Sequence, residues 1–327
     1  MSRIIYFNEE AHRYSDDLGN IYLSTTTLLG QYEEAFDTKG QAQRLSRLGT
    51  GIYKGKSVSQ IEAMWKASTV AACEKGNKTH DELELSVKET SMFMNAVKSL
   101  RTYDEDNHGR LFTLDDVLEM DNIKPVDTKI FYDRVGYKYP IIQQTIEYYT
   151  SNGWLLFAEL GIYDEQRLIS GMIDLFVYKH PYFVIVDWKT NKDDIAFESY
   201  YFKRDNEGQS TDVKVIKRND YLKYPIDDLI NCKGNKYGMQ LSVYASMCEQ
   251  RGLIFAGGII FHIRDQYVPN KYGKPLRDEN NNYVVDEAKG KKVEVVIINH
   301  LKNQVDRVFA DHLKRNHGEG IQYKITM

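Results

Sequence analysis

The most chemically informative stretch of the chain is residues 170–192, SGMIDLFVYKHPYFVIVDWKTNK, in which two apolar runs carry one carboxylate each. Asp174 lies in the first run and Asp187 in the second, and Lys189 follows Asp187 by two positions. Because side chains alternate between the faces of a strand, Asp187 and Lys189 are predicted to point the same way. Unpaired charges are unfavourable in a sheet, so their presence indicates a chemical role. Two carboxylates and an amine held together can bind a metal ion and position a water molecule.

A third carboxylate, Glu159, is the only charge between Trp154 and Tyr163 in the preceding apolar run. Beside the two aspartates it would complete an oxygen-rich site for a hard divalent ion such as Mg²⁺. Simpler interpretations remain open. Asp174 could cap a turn, Asp187 and Lys189 could form an exposed salt bridge, and Glu159 could face solvent at a sheet edge.

Three more candidate residues lie on predicted helices. His80 lies near the start of a helix in EKGNKTHDELE, while Gln240 and Tyr244 are four residues apart in YGMQLSVYASM and share a helix face. Each residue is also compatible with an ordinary packing or surface role. Residues 49–57, GTGIYKGKS, resemble a phosphate-binding loop, but Thr50 stands where that motif requires Gly, so no nucleotide cofactor is expected.

These residues require a sheet with helices around it, and the patterning predicts one. The predicted strands and hairpins are 3–24 around the turn at 16–20, 154–163, 167–178, 182–189, 253–264, the loop or hairpin 265–291, and 292–298. The predicted helices are 25–48, 57–100, 113–120, Pro140 to Asn152, 237–251 and 300–315. Residues 200–235 are predicted to be an irregular polar insertion. The order of elements predicts an α+β (mixed α/β) fold, with a central mixed sheet flanked by helices.

The composition sets further bounds. The chain has 327 residues, 42% of them hydrophobic and 28% charged, which is typical of a soluble globular protein with a large core. A formal net charge of −4 means that any nucleic-acid binding must depend on local basic patches. Cys73, Cys232 and Cys248 lack metal-ligand spacing and are expected to be reduced thiols. Without a signal peptide or a membrane-spanning apolar stretch, a cytoplasmic location in a bacterial or phage-infected cell is expected.

Taken in chain order, these motifs resemble the PD-(D/E)XK nuclease superfamily, and particularly its RecB-like branch of phage-type exonucleases. The corresponding motifs are Gly76 to His80 on a helix, Glu159 on a strand, Gly171 to Asp174, Asp187 to Lys189, and Gln240 to Tyr244. The likeness spans about residues 70–260. Ile173 stands where the superfamily's name has Pro, at a position that varies within the branch. Relatives with an iron–sulfur cluster use four cysteines, so no cluster is expected from the three here.

The resemblance implies a restriction-endonuclease-like core in a single nuclease domain over residues 1–327. Its parts would be an N-terminal hairpin and helix (1–50), a helical region (57–153), the catalytic core (154–264) and a C-terminal hairpin, strand and helix (265–327). It implies a divalent-metal-dependent DNA exonuclease that leaves 5′-phosphate products in phage-type replication, recombination or repair. The implied partners are DNA ends and a recombination or single-strand-binding protein. An endonuclease or nicking enzyme of the same superfamily, or a non-catalytic DNA-binding subunit, remains an alternative.

The resemblance also implies residue roles. Mg²⁺ or Mn²⁺ would be held by His80, Glu159, Asp174, Asp187 and the carbonyl of Trp188. Lys189 would position the attacking water or stabilise the transition state, and a general-base role would require a lowered pKa. Gln240 and Tyr244 would support Lys189 or touch the DNA backbone. Further candidates for backbone contacts, with a solvated loop as the alternative, are Lys203, Arg204, Lys214, Lys217, Arg218 and Lys223.

Overall fold

A computed structural model of the chain describes residues 3–8, 11–49, 51–90, 109–121, 123–207, 209–279 and 282–318. The strands are β1 (Ile5–Asn8), β2 (Arg13–Asp16), β3 (Ile21–Ser24), β4 (Gly109–Arg110), β5 (Leu155–Asp164), β6 (Ile169–Lys179), β7 (Tyr182–Lys189), β8 (Tyr200–Arg204), β9 (Ser210–Ile216), β10 (Ile254–Asp265) and β11 (Lys291–Ile298). The α-helices are α1 (Thr25–Gly30), α2 (Thr38–Leu48), α3 (Val58–Thr90), α4 (Leu114–Glu119), α5 (Thr128–Arg134), α6 (Pro140–Ser151), α7 (Lys233–Glu249) and α8 (Lys302–Gly318). The predicted α+β class is confirmed.

The centre of the fold is a mixed sheet of nine strands within the described residues. Its order is β11-β10-β7-β6-β3-β2-β1-β4, and β5 pairs with the other edge of β6. Strand β6 is antiparallel to β5 and β7, whereas β10 runs parallel to β7. The long strand β6 pairs with β3 at its start and with β7 over its second half. Strands β8 and β9 form a separate hairpin.

Helices cover both faces of this sheet, because the central strands bury apolar side chains on both sides. On one side, called the α7 face, helices α1, α4, α7 and α8 pack against residues such as Phe176, Phe183 and Ile260. On the other side, called the α3 face, helices α3, α5 and α6 pack against residues such as Val177 and Val186. No α-helix among the described residues is both long enough and apolar enough to cross a membrane.

Several predicted boundaries are wrong in the polar parts of the chain. Residues 200–235 are not wholly irregular, because β8 and β9 form a hairpin there. The N-terminal segment has three strands, and α5 was not predicted. Predicted helix 57–100 is helical from Val58 to Thr90, and 91–100 lies outside the described residues.

Helix α7 begins at Lys233, four residues before its predicted start at residue 237. In the fold, Gly234 allows a close approach: a Cβ at this position would lie 2.7 Å from the ring of Phe197 and 2.8 Å from the carbonyl oxygen of Ala196. A packing requirement, which local sequence does not encode, therefore explains the glycine.

Candidate active site

The candidate site lies where two central strands separate. The pairing of β6 with β7 ends at Leu175 and Val186, and the next residues at this level are Asp174 and Asp187. Beyond the last pair, the backbone N–H of Trp188 donates a 2.9 Å hydrogen bond to Oδ2 of Asp174. This fork between β6 and β7 brings the two predicted carboxylates together and fixes the orientation of one of them.

The alternation of side chains also shifts by one residue at this level, on β5 as well as on β6. In a regular strand, residues two positions apart lie on the same face. Here the residues that pack on the α7 face are three positions apart, namely Phe157 with Leu160 on β5 and Ile173 with Phe176 on β6. Glu159 lies within this interval with φ of 51°, a left-handed conformation that non-glycine residues rarely adopt. Backbone strain of this kind is concentrated at functional sites.

Glu159 and Asp174 occupy corresponding positions in this shifted region. The registered pairs on either side are Ala158 with Leu175 and Leu160 with Ile173, so Glu159 lies at the level of Asp174 on the neighbouring strand. The shift therefore places a third carboxylate at the level of Asp174, and its predicted part in a metal site stays a prediction.

Asp187 and Lys189 form a buried ion pair, with Nζ of Lys189 2.6 Å from Oδ2 of Asp187. Burial raises the pKa of Asp187 to about 6, and the lowering effect of Lys189 does not outweigh it. For Lys189, burial lowers the pKa, but the charges of Asp187 and Asp174 outweigh burial and the net direction is upward. Lys189 is therefore held as a cation, and the general-base role, which needs a lowered pKa, is not supported.

His80 reaches the fork from α3, and its Nδ1 lies 3.6 Å from Oδ2 of Asp174. The Gly76 to His80 motif explains how α3 comes so close. A Cβ at Gly76 would lie 3.1 Å from Oγ1 of Thr190, which follows β7. Glycine thus allows the helix to pack tightly against the chain immediately beyond Lys189.

Two further charged residues, which the sequence analysis missed, follow His80 at four-residue intervals on α3. Glu84 and Lys88 form an ion pair and line the same cleft as His80. Glu159 lies close to both of them. Burial and then the charge of Glu84 raise the pKa of Glu159 to about 7, against a smaller lowering effect of Lys88. The spacing of His80, Glu84 and Lys88 on one helix face was the signal in the sequence.

The aromatic contact to Lys189 comes from Tyr237 rather than from the predicted Tyr244. The Nζ of Lys189 lies 5.0 Å from the centre of the Tyr237 ring, within the range of a cation–π contact. Tyr244 is buried two helical turns further along α7, where it accepts a 3.2 Å hydrogen bond from Nε2 of Gln240. Tyr244 packs under Gly171, since a Cβ there would lie 2.5 Å from its ring. Tyr244 is therefore buried and does not line the cleft, and its predicted role in supporting Lys189 or touching the DNA backbone stays a prediction.

A cleft of about 1330 Å³ opens above this cluster. It is lined by His80, Glu84, Glu159, Trp188, Lys189 and Tyr237, and basic residues including Arg110, Lys192 and Lys233 lie around them. Glu159 and Lys189 from the strands line this cleft together with residues of α3 and α7, whereas Asp174 and Asp187 are not among its lining residues. A negatively charged substrate could lie among the basic side chains of this cleft.

The predicted basic residues of the 200–235 segment divide into two groups. Lys203, Arg204 and Lys217 line a second groove, which shares lining residues with the cleft. Lys214 instead forms an ion pair with Glu198. Neither this lysine nor the remaining two predicted residues, Arg218 and Lys223, line the cleft or the groove.

The donor chemistry at the fork fits Mg²⁺ or Mn²⁺, although the described side chains include no ready-made group of three or more His, Cys, Asp or Glu that could hold a metal ion. Oδ2 of Asp187 is buried, and its polar contact among the described residues is the 2.6 Å ion pair with Nζ of Lys189. Carboxylate oxygens with one imidazole suit hard divalent ions. In the present arrangement Lys189 is the cation that offsets the charge of Asp187.

Comparison of the chain with protein-family profiles, with curated proteins and with solved structures gives no match. The functional argument therefore rests on the geometry of the fork and on the order of the motifs that meet there.

Proposed function

We propose that this protein is a divalent-metal-dependent deoxyribonuclease that hydrolyses phosphodiester bonds at DNA ends and leaves 5′-phosphate products. The observation that carries the proposal is the meeting of Asp174, Asp187 and Lys189 at the β6–β7 fork. Two further elements contribute beside Asp174: Glu159 on β5 lies at its level, and Nδ1 of His80 on α3 lies 3.6 Å from its Oδ2. Structural ion pairs alone do not require carboxylates on three neighbouring strands to lie near a histidine and a lysine that line an open cleft.

Asp174, Asp187 and Glu159 would hold Mg²⁺ or Mn²⁺, with His80 beside them. When bound, such an ion makes a water molecule more acidic and offsets the charge that develops on the phosphate. The three carboxylates come from neighbouring strands of one sheet, so their relative positions are fixed by backbone hydrogen bonds. The bond from Trp188 to Asp174 holds one of them in a single orientation.

Lys189 supplies a fixed positive charge beside the reacting phosphate. Its ammonium group is confined between Asp187 and the ring of Tyr237, so it need not be reoriented as negative charge builds on the phosphoryl oxygens. The raised pKa of Lys189 keeps it protonated, which suits charge stabilisation rather than proton abstraction. His80 lies at the mouth of the cluster, where it could contact the scissile phosphate.

The test compares two variants with a matched lysine control on end-labelled DNA with Mg²⁺ or Mn²⁺. Asp174→Asn keeps an oxygen to accept the Trp188 hydrogen bond, and Lys189→Met keeps the length of the side chain. We expect each to reduce cleavage about 100-fold or more, while near-ultraviolet circular dichroism stays unchanged. Lys179→Met, at the exposed far end of β6, should cleave like the wild type.

Three outcomes would contradict the proposal. Cleavage that persists in both folded variants would show that the fork is not catalytic. Tight DNA binding without cleavage in either metal would favour a non-catalytic subunit. Rapid cutting of closed circular DNA would favour an endonuclease, because an exonuclease spares a substrate without ends. The assignment to DNA ends rests on the motif resemblance, so linear and circular substrates belong in the same experiment.

A further inference from the structure

The second groove, of about 970 Å³, runs away from the cleft between the β8–β9 hairpin and residues 266–286. Four residues line both spaces, namely Lys192, Asp193, Lys233 and Arg264. The two walls of the groove are tied together, since the side-chain amide of Asn270 donates a 2.8 Å hydrogen bond to the carbonyl oxygen of Ser210. Because these four residues border both spaces, a flexible polymer lying in the groove would reach the edge of the cleft.

The groove is basic although the whole chain is acidic. Eight of its lining residues are Lys or Arg and three are Asp or Glu, whereas the chain has a formal net charge of −4. Two of the three carboxylates already form ion pairs with lining residues, Asp193 with Lys233 and Asp194 with Arg264. Four cations form no ion pair with any residue that the structure describes, namely Lys192, Lys203, Arg204 and Lys274. This surplus charge suits a polyanion.

Aromatic side chains lie against two of these cations. Nζ of Lys274 lies 4.1 Å from the centre of the Phe202 ring, and Nζ of Lys192 lies 5.8 Å from that of Tyr283. Tyr201 lines the groove with 51% of its surface exposed. Cations bind phosphates and exposed rings stack on bases, and a base is free to stack on a side chain when it is unpaired.

We infer that this groove binds single-stranded DNA and directs an unpaired strand towards the fork. As a path to a cleavage site, this inference rests on the proposed nuclease function, although strand binding itself does not require catalysis. A duplex fits the features less well, because its bases are stacked on one another and cannot stack on Tyr201 or Phe202. An acidic protein segment would use the cations but would leave the exposed ring of Tyr201 without a role.

The charge test measures binding of fluorescent dT20 to the full-length protein in EDTA, so that no cleavage occurs. Lys203→Ala/Lys274→Ala should reduce the slope of log affinity against log salt by about 1.4, because each phosphate contact on a single strand contributes about 0.7. This corresponds to about a 25-fold loss of affinity at 0.1 M salt, relative to 1 M. The control, Lys124→Ala/Lys129→Ala, removes two exposed lysines that line neither space and should bind like the wild type.

The stacking test uses Tyr201→Ala, which should lose about tenfold in affinity at every salt concentration. Tyr132→Ala is the control, since Tyr132 has a similar exposure of 50% on α5, away from the groove. Equal losses in the groove and control variants would overturn the inference. Tighter binding of a blunt duplex than of dT20 would also overturn it. The same holds if rU20 competes for the groove more effectively than dT20, or if a polyglutamate peptide of equal charge competes at equal concentration.

These results are separable from the proposed function. Groove-dependent binding of dT20 by a protein that never cleaves DNA would support the groove and reject the nuclease. Normal cleavage by a protein whose groove variants bind dT20 like the wild type would support the nuclease and reject the groove.

Discussion

Replacing Glu159 by Gln should stabilise the protein in a pH-dependent manner while abolishing its proposed activity. The reason is that burial and the charge of Glu84 raise the pKa of Glu159 from 4.5 to about 7. The folded protein therefore holds this proton more tightly than the unfolded chain does. The contribution of protonated Glu159 to the free energy of unfolding is fully present below pH 4.5 and is lost as the pH rises to about 7.

The size of the effect follows from the two pKa values. With a pKa of 4.5 in the unfolded chain and about 7 in the folded protein, Glu159 lowers the free energy of unfolding, relative to a side chain that cannot ionise, by about 3 kcal/mol at pH 8. At pH 5, where mainly the unfolded chain is ionised, the loss is about 1 kcal/mol. The substituted amide cannot ionise, so the Glu159→Gln variant should be more stable than the wild type by about these amounts. The backbone strain at φ of 51° is common to both side chains, so it cancels in the comparison.

The assay is urea unfolding in EDTA at pH 5, 6.5 and 8 for the wild type, Glu159→Gln and a control. Glu74→Gln is the control because Glu74 is exposed on the same helix as Glu84, so water solvates its carboxylate in the folded and unfolded chains alike. The gain for Glu159→Gln should grow by about 2 kcal/mol between pH 5 and pH 8. A gain that does not change with pH, or an equal change in the control, would refute the reasoning.

Two further predictions follow from the same geometry. The affinity for Mn²⁺, measured by isothermal titration calorimetry, should be about 100-fold weaker at pH 5.5 than at pH 8. The reason is that protons compete with the metal for Glu159, which has a pKa of about 7, and for Asp187, which has a pKa of about 6. Equal affinities at the two pH values would contradict this prediction. Gly171→Ala should destabilise the fold by about 1–3 kcal/mol in urea, because the new Cβ would lie 2.5 Å from the buried Tyr244 ring. Gly257→Ala should reduce the free energy of unfolding by less, because a Cβ at position 257 would have no atom within 4 Å. Equal losses for the two variants would show that the clash with Tyr244 is relieved.

Much of the fold was accessible from local sequence patterns. Strands β5, β6 and β7 were predicted to within two residues at each end, because their apolar runs are the right length and are separated by turn residues. The shared direction of Asp187 and Lys189 followed from the two-residue period of a strand, and the 2.6 Å ion pair confirms it. By contrast, the polar 200–235 segment lacks apolar periodicity, so its hairpin was missed.

The sequence by itself determined the apolar central strands and the shared face of Asp187 and Lys189, since these depend on neighbours along the chain. The tertiary structure decided where the elements meet. His80 reaches Asp174 because α3 packs closely at Gly76, and Tyr237, rather than Tyr244, covers Lys189 because of how α7 lies on the sheet. The shift at Glu159 and the raised pKa values of Glu159 and Asp187 likewise depend on burial and on strand divergence. These features arise from contacts between distant segments, and no local pattern encodes them.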